Sequence, residues 1–228
     1  MEEHPPISPE GSPPPPPPPV SPASLPLPWE QPGYPALAGM VETVRLFLTK
    51  PFEAYERMSK TIGLGRPFFY AFVLGWLALI IGGFYRLLLH GIYDSIPGMQ
   101  GRAFPIPPGA FFAINVFAGP FVIPVALFVF TALVHFFLML FGGSKGGFWT
   151  TFRVMCYATT PTVLVIVPIC GGIVSGFWEV FLATVGLAIA HPTTKTRAFL
   201  SQCAVFLLCC GCFLPFMFLA GMKHMWHP

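Results

Sequence analysis

Two regimes of apolar spacing divide the chain. Met40, Val44, Phe47, Pro51, Tyr55, Met58 and Ile62 recur at steps of three and four, the repeat of one helical face. Glu42, Arg45, Lys50, Glu53, Glu56, Arg57 and Lys60 lie mostly off that face. Pro51 ends one helix or opens another, because its missing N–H is harmless in a first turn. The pattern predicts two amphipathic helices, about 38–49 and 51–61, lying on a membrane or under a bundle.

Beyond residue 67 the alternation gives way to long uncharged runs. Phe68–Tyr85 carries no charge over 18 residues and predicts span one, extended past Arg86 by Leu87–Leu89. A polar loop with Asp94, Pro97, Arg102, Pro105, Pro107 and Pro108 follows. Ala110–Phe141 is 32 residues with His135 as its one titratable group. As a helix this run is about 48 Å long, against a hydrocarbon core of about 30 Å. The expectation is an interfacial segment over 110–118 and span two over 119–141, with Pro120 and Pro124 in its first turns or kinking it. Between Arg153 and Lys195, Glu179 is the only charge in 41 residues. Two spans fit there, three over 153–172 and four over 175–191, with Pro161 and Pro168 breaking the first. Gly171, Gly172, Ser175 and Gly176 supply turn chemistry between them. Span five covers 198–221. Trp149, Trp178 and Trp226 fall near the interfaces, where amphipathic rings sit best.

Composition confirms the regime. The 228 residues are 54% hydrophobic and 9% charged, where a soluble domain carries about 25% charge. Soluble enzyme classes are thereby excluded, and the absence of a dense basic patch argues against nucleic-acid binding. More than half of the 28 prolines lie in residues 1–36, including the run Pro13–Pro19. Such a stretch cannot bury a core, so residues 1–37 read as a disordered, Pro-rich tail with polyproline II character. It serves as a semi-rigid spacer rather than as a ligand for a proline-recognising domain, since no Arg or Lys flanks the run. It lacks the basic start and apolar core of a signal peptide. The expected organisation is tail 1–37, membrane-surface helices 38–66, a five-span domain 67–222 and a short tail 223–228.

Lysine and arginine set the orientation. With five spans, one side holds Arg45, Lys50, Arg57, Lys60, Arg66, Lys145, Arg153, Lys195 and Arg197. The other holds Arg86, Arg102 and Lys223. The N-terminus is expected in the cytoplasm and the C-terminus opposite.

Candidate chemistry is sparse. Cys156, Cys170, Cys203, Cys209, Cys210 and Cys212 all fall in or beside spans. Neighbouring helical residues point about 100° apart, so Cys209, Cys210 and Cys212 cannot converge on one ion; they read as small packing residues, and neither metal nor cofactor is implied. His135 and Glu179 are intramembrane ionisable groups, often functional in such places. Two are too few for a proton relay, and they read as a bonded neutral histidine and an interfacial carboxylate. Ser175 with His135 or His191 invites a serine-protease reading, but Gly172-Ile-Val-Ser175-Gly176 departs from the Gly-x-Ser-Gly spacing of rhomboid proteases. Gly142-Gly-Ser-Lys145-Gly-Gly147 lacks the spacing and strand of a phosphate-binding loop and reads as a cytosolic connector. Its glycines are expected at positive φ or at close approaches. Arg153, Tyr157 and Pro161 follow at steps of four on one helix face. Arg153 is expected to snorkel to headgroups, and this face, with His135, to pack in the bundle interior.

Several strings carry a resemblance. They are His135-x6-Gly142-Gly143, Gly146-Gly-Phe148-Trp-Thr150-Thr-Phe-Arg153-Val154-x2-Tyr157-Ala158-x2-Pro161, Pro168-x2-Gly171, Trp178, and Gly186-Leu187-x3-His191. In this order they resemble the Yip-one domain family (Yip/Yif), five-span membrane proteins named for interaction with Ypt/Rab GTPases. Leu48-Thr-Lys-Pro51-Phe52-Glu-Ala-Tyr55-x2-Met58 is similar to the segment before span one in the prokaryotic branch. The Asp-Leu-Tyr-Gly-Pro-like string of eukaryotic members is not found there, which points to a prokaryotic-type member in the cytoplasmic membrane. The resemblance, over roughly 40–221, implies a non-enzymatic scaffold or adaptor in membrane organisation or trafficking, engaging lipid and membrane or cytosolic proteins. The alternative from another class is a small transporter or channel component, supported by the proline-broken spans.

Overall fold

The computed structural model describes residues 25–59, 63–95, 106–168 and 170–226, with side chains through Ile92 in the second stretch and Gly211 in the last. The regular elements of the described residues are all helices, with no strand among them. The amphipathic pattern forms α1 (Ala36–Thr49) and α2 (Pro51–Arg57). Lys50 leaves helical geometry at φ −138° because a residue preceding proline is disfavoured there, and Pro51 opens α2. The apolar face turns into the bundle: Phe47, Tyr55 and Met58 are buried, together with Thr43 and Ala54. These two helices therefore lie under the bundle. Ile62, on the same predicted face, lies outside the described residues.

Three helices are long and apolar enough to cross a membrane: α3 (Gly65–Ser95), α4 (Pro108–Leu140) and α6 (Gly171–Ala190). The expected division of the second run at 118/119 is not found. α4 continues through both Pro120 and Pro124 for 33 residues. Pro120 cannot donate to the Val116 carbonyl four residues back. The Trp76 indole of α3 takes over, donating to that carbonyl at 3.2 Å. Gly119 makes room for it, since a Cβ there would sit 2.9 Å from Trp76 Cδ1. A substitute donor from the neighbouring helix keeps the proline region intact. Trp76→Phe should lower thermal stability by about 1 kcal/mol through the unpaired carbonyl; an unchanged melting curve would show that this bond carries no weight.

The break expected at Pro161 within 153–172 is present. α5 (Phe148–Ala158) ends before Pro161, and the chain continues as a 3-10 segment, Thr160–Ile166. Three threonines cover the break. The hydroxyls of Thr159, Thr160 and Thr162 donate to the carbonyls of Cys156, Tyr157 and Thr159 at 2.7, 2.6 and 2.7 Å. These carbonyls stand at the helix end, where i+4 donors run out. Pro161 consequently lies in the 3-10 segment rather than on the α5 face shared by Arg153 and Tyr157.

Gly171, Gly172, Ser175 and Gly176 do not make the turn either. They form the first turns of α6, and the chain reverses just before them. Gly171 is needed for closeness: a Cβ would lie 2.0 Å from the Leu164 carbonyl oxygen. α7 (Lys195–Trp226) closes the order. Its Gln202 amide donates to Thr184 Oγ1 of α6 at 2.8 Å. Phe117, Phe121 and Phe177 are each 76–77% exposed, the placement of side chains that face lipid.

The tail boundary at 37 runs past an ordered strap. Leu25–Pro35 includes a 3-10 turn, Pro28–Glu30; Glu30 within it and Leu27 just before it are fully buried. Arg57 donates to the carbonyls of Leu25 and Pro26. The Trp29 backbone N–H donates to Thr43 Oγ1 at 3.0 Å, and its indole to the Arg66 carbonyl at 2.7 Å. The Pro13–Pro19 run lies outside the described residues.

Candidate functional site

α5 is the rod around which the polar groups gather. Every residue from Thr151 to Ala158 is buried, so its two sides face different neighbours. Two hydrogen-bond networks result.

The first holds the glycine connector. His135 Nδ1 and His191 Nε2 lie 2.7 and 2.9 Å from Thr151 Oγ1. The Gly146 N–H donates to His191 Nδ1 at 3.0 Å, which fixes the roles. A ring accepting at Nδ1 carries its neutral-form proton on Nε2. His191 then donates to Thr151, whose hydroxyl proton goes on to His135 Nδ1. His135 Nε2–H is left to reach Ser144 Oγ at 3.4 Å. The chain of donors begins and ends on the connector and does not cross the bilayer. It pins residues 144–146 to α4, α5 and the end of α6. Gly142 and Gly147 take positive φ, 68° and 77°. Arg197 donates to the Gly142 carbonyl at 3.0 Å.

The second network holds the strap. Glu30 Oε1 accepts from the Tyr157 hydroxyl and Oε2 from the Ser59 N–H, both at 2.8 Å. The Arg153 guanidinium donates to the Ser59 carbonyl. Arg153 is only 7% exposed, so it does not snorkel to headgroups; it is held inside by these partners. Tyr157 stacks on Phe47 at 5.2 Å and meets Tyr70 at 5.3 Å. The Tyr70 hydroxyl pairs with Thr160 Oγ1 at 2.9 Å. Tyr55 packs edge-on against Phe47 at 4.9 Å. Gly186 of α6 admits that ring: a Cβ would lie 2.4 Å from Tyr55 Cζ.

Burial raises the Glu30 carboxyl above its usual range, while the Ser59 N–H, the Tyr157 hydroxyl and the charges of Arg153 and Arg66 pull it down less strongly. A raised carboxyl binds its proton more tightly with the strap seated than with it released. Seating is therefore strongest below the ordinary value of 4.5 and weakens as pH rises through the seated value. Exchange of the Glu30 amide, which donates to the Leu27 carbonyl at 2.8 Å, should be better protected at pH 5 than at pH 7 after correction for intrinsic rates. Better protection at pH 7 would show that attraction to Arg153 outweighs burial.

Of the residues expected to form one face, His135, Arg153, Tyr157 and Pro161 are all buried, but they do not form one cluster. Arg153 and Tyr157 serve the strap, and His135 serves the connector. Glu179 receives a bond from Ser175 Oγ at 3.2 Å within α6. Ser175 spends its hydroxyl proton on this carboxyl, one turn along the same helix. Among the described residues no three His, Cys, Asp or Glu side chains converge to hold a metal. Glu30, Thr151 and Tyr70 were not legible as site residues. The one available signal was Trp29-Glu30, an aromatic and an acid amid prolines.

Long apolar helices around a buried polar interior define an integral, multi-pass membrane protein. The Yip1 domain matches residues 45–217, and the chain belongs to that family. No curated protein and no solved structure matches it. The strap and its Glu30 precede the matched residues, whereas Ser59, Arg153 and Tyr157 lie within them.

Proposed function

We propose that the protein is a non-enzymatic membrane scaffold or adaptor that engages membrane or cytosolic proteins through its N-terminal layer. The observation that carries this reading is the two-faced character of α1 and α2. Their inner face is locked into the bundle by Phe47, Tyr55 and Met58. Their outer face is a charged groove of about 390 Å³ in which Glu42, Arg45, Thr49 and Lys50 stand. A rigid layer with an open, mixed-charge outer surface suits recognition of a partner.

A five-span bundle with residues 1–67 in the cytoplasm goes with this reading. α3, α4 and α6 are three crossings. α5 and the 3-10 segment, 11 and 7 residues, together rise about 30 Å, enough for a fourth. α7 supplies the fifth. The lysine and arginine asymmetry supports the orientation, and the departure from the eukaryotic string supports a prokaryotic cytoplasmic membrane.

The test is a proximity-labelling and co-purification census in the native membrane, repeated with Arg45→Glu plus Lys50→Glu. The reversed groove should lose specific partners while membrane abundance stays unchanged. An identical census from both proteins would overturn the adaptor reading of this face.

A further inference from the structure

The pocket that holds Glu30 is built by the family-matched part of the chain and filled by a segment outside it. Ser59, Arg153 and Tyr157 lie within residues 45–217, and Leu25–Gln31 precedes them. Both carboxylate oxygens are bonded, by the Ser59 N–H and the Tyr157 hydroxyl at 2.8 Å each. The Arg153 and Arg66 charges offset part of the burial that penalises an anion there. Leu27 is fully buried beside it, and Trp29 lies over Phe69 at 6.2 Å, with 8° between the rings. These are the marks of peptide recognition: one charged group read by fixed donors, with apolar anchors on the same short stretch.

We propose that the Ser59–Arg153–Tyr157 pocket is a binding site for an acidic, proline-containing peptide segment of a partner protein, and that Leu25–Gln31 is a ligand built into the chain that competes for it. A carboxyl group, with two oxygens placed to accept, is the chemistry this pocket takes. The Ser59 N–H and the Tyr157 hydroxyl of α5 each direct a hydrogen at one of those oxygens. Removing the carboxyl leaves a tyrosine hydroxyl and a backbone N–H without their acceptor in a buried place, which is unfavourable. The pocket is therefore filled by the strap or by a segment of the same character. The strap's hold is short. Beyond Glu30 the chain turns through Gln31-Pro32-Gly33-Tyr34, with Gly33 at φ 77°, before α1 begins. Only Leu25–Glu30 must leave for the pocket to open, and α1 stays seated by Phe47. This deepens the adaptor reading by naming a partner chemistry, and rests on that reading for its biological use.

The probe is a labelled, end-blocked peptide of residues 25–31, Leu-Pro-Leu-Pro-Trp-Glu-Gln, titrated into the full-length protein in lipid nanodiscs. In the wild type the built-in segment occupies the pocket and binding is weak. In full-length Glu30→Ala, whose own strap has lost the group that fills the pocket, apparent affinity should rise by about tenfold or more, because the competent open fraction rises. A control peptide carrying the same E30A change should bind neither protein. Should Glu30→Ala not purify as a monodisperse protein, Trp29→Ala, which weakens the strap and leaves the pocket intact, is titrated instead with the same expectation. Equal affinity for the wild type and the weakened-strap variant overturns the proposal, as does equal binding of both peptides or binding to neither protein. The titration reads the pocket alone. The partner census with the reversed groove reads the outer face, so either result can fail without the other.

Discussion

Replacing Tyr157 by alanine should lower the melting temperature of the detergent-solubilised protein by roughly 10 °C, whereas Leu207→Ala should barely move it. The difference follows from what each side chain touches. Tyr157 is fully buried, stacks on Phe47, packs at a tilt against Tyr70, and donates to the buried Glu30 carboxyl. Its removal leaves a ring-sized cavity and withdraws one of the two donors to Glu30. Leu207 is 68% exposed on α7, where detergent or lipid replaces whatever it meets. Tyr157→Phe separates the two contributions. It keeps the ring and loses only the donor, and should fall between them. Equal, small effects of the alanine changes would show that the α5 face is not a packed interior.

Deleting residues 1–24 should leave accumulation in the membrane unchanged, while deleting 1–36 should reduce it severely. The first deletion removes none of the described packing. The second removes Leu27 and Glu30, both fully buried, and the Trp29 bonds to Thr43 and Arg66. It also leaves the Ser59 N–H and Tyr157 hydroxyl without the carboxylate they share, a penalty of about 1–3 kcal/mol for each buried group. Immunoblotting of membrane fractions for both truncations reads the outcome. Equal abundance of the two would show that the strap contributes nothing to folding.

How far the sequence foretold this arrangement depends on the kind of signal each element sends. Met40 to Met58 repeat with a clean period, and the burial of Phe47, Tyr55 and Met58 follows from it directly. The runs that become α3, α4 and α6 declare themselves by length without charge. Composition misled where local chemistry was decisive. Proline density around Leu27 and Glu30 hid a strap whose order comes from contacts with residues 14–127 positions away. Pro161 announced the break in the third span, but not the 3-10 segment beyond it, where three threonine hydroxyls cap backbone carbonyls. The glycines at 171–176 looked like a turn because glycine permits one; here it permits the Leu164 carbonyl to approach a helix start. His191 was visible only as part of a motif. Its partnership with Thr151 and Gly146 joins positions 40 and 45 residues apart, and no local pattern encodes that.

The unbroken course of α4 bears on the lipid itself. Its 33 residues make an apolar column of about 50 Å, beside an α6 whose 20 residues make one of about 30 Å. A bilayer core of uniform thickness cannot match both walls upright. α4 must tilt steeply, carry one end past the headgroups, or thicken the leaflets along its flank, while α6 fits without distortion. Such mismatch is worth fractions of a kcal/mol per ångström, and lipids of different chain length will therefore partition unequally around the protein. Where the leaflets thicken rather than α4 tilts, that flank gathers longer acyl chains than the other, and the molecule imposes a lateral pattern on its surroundings.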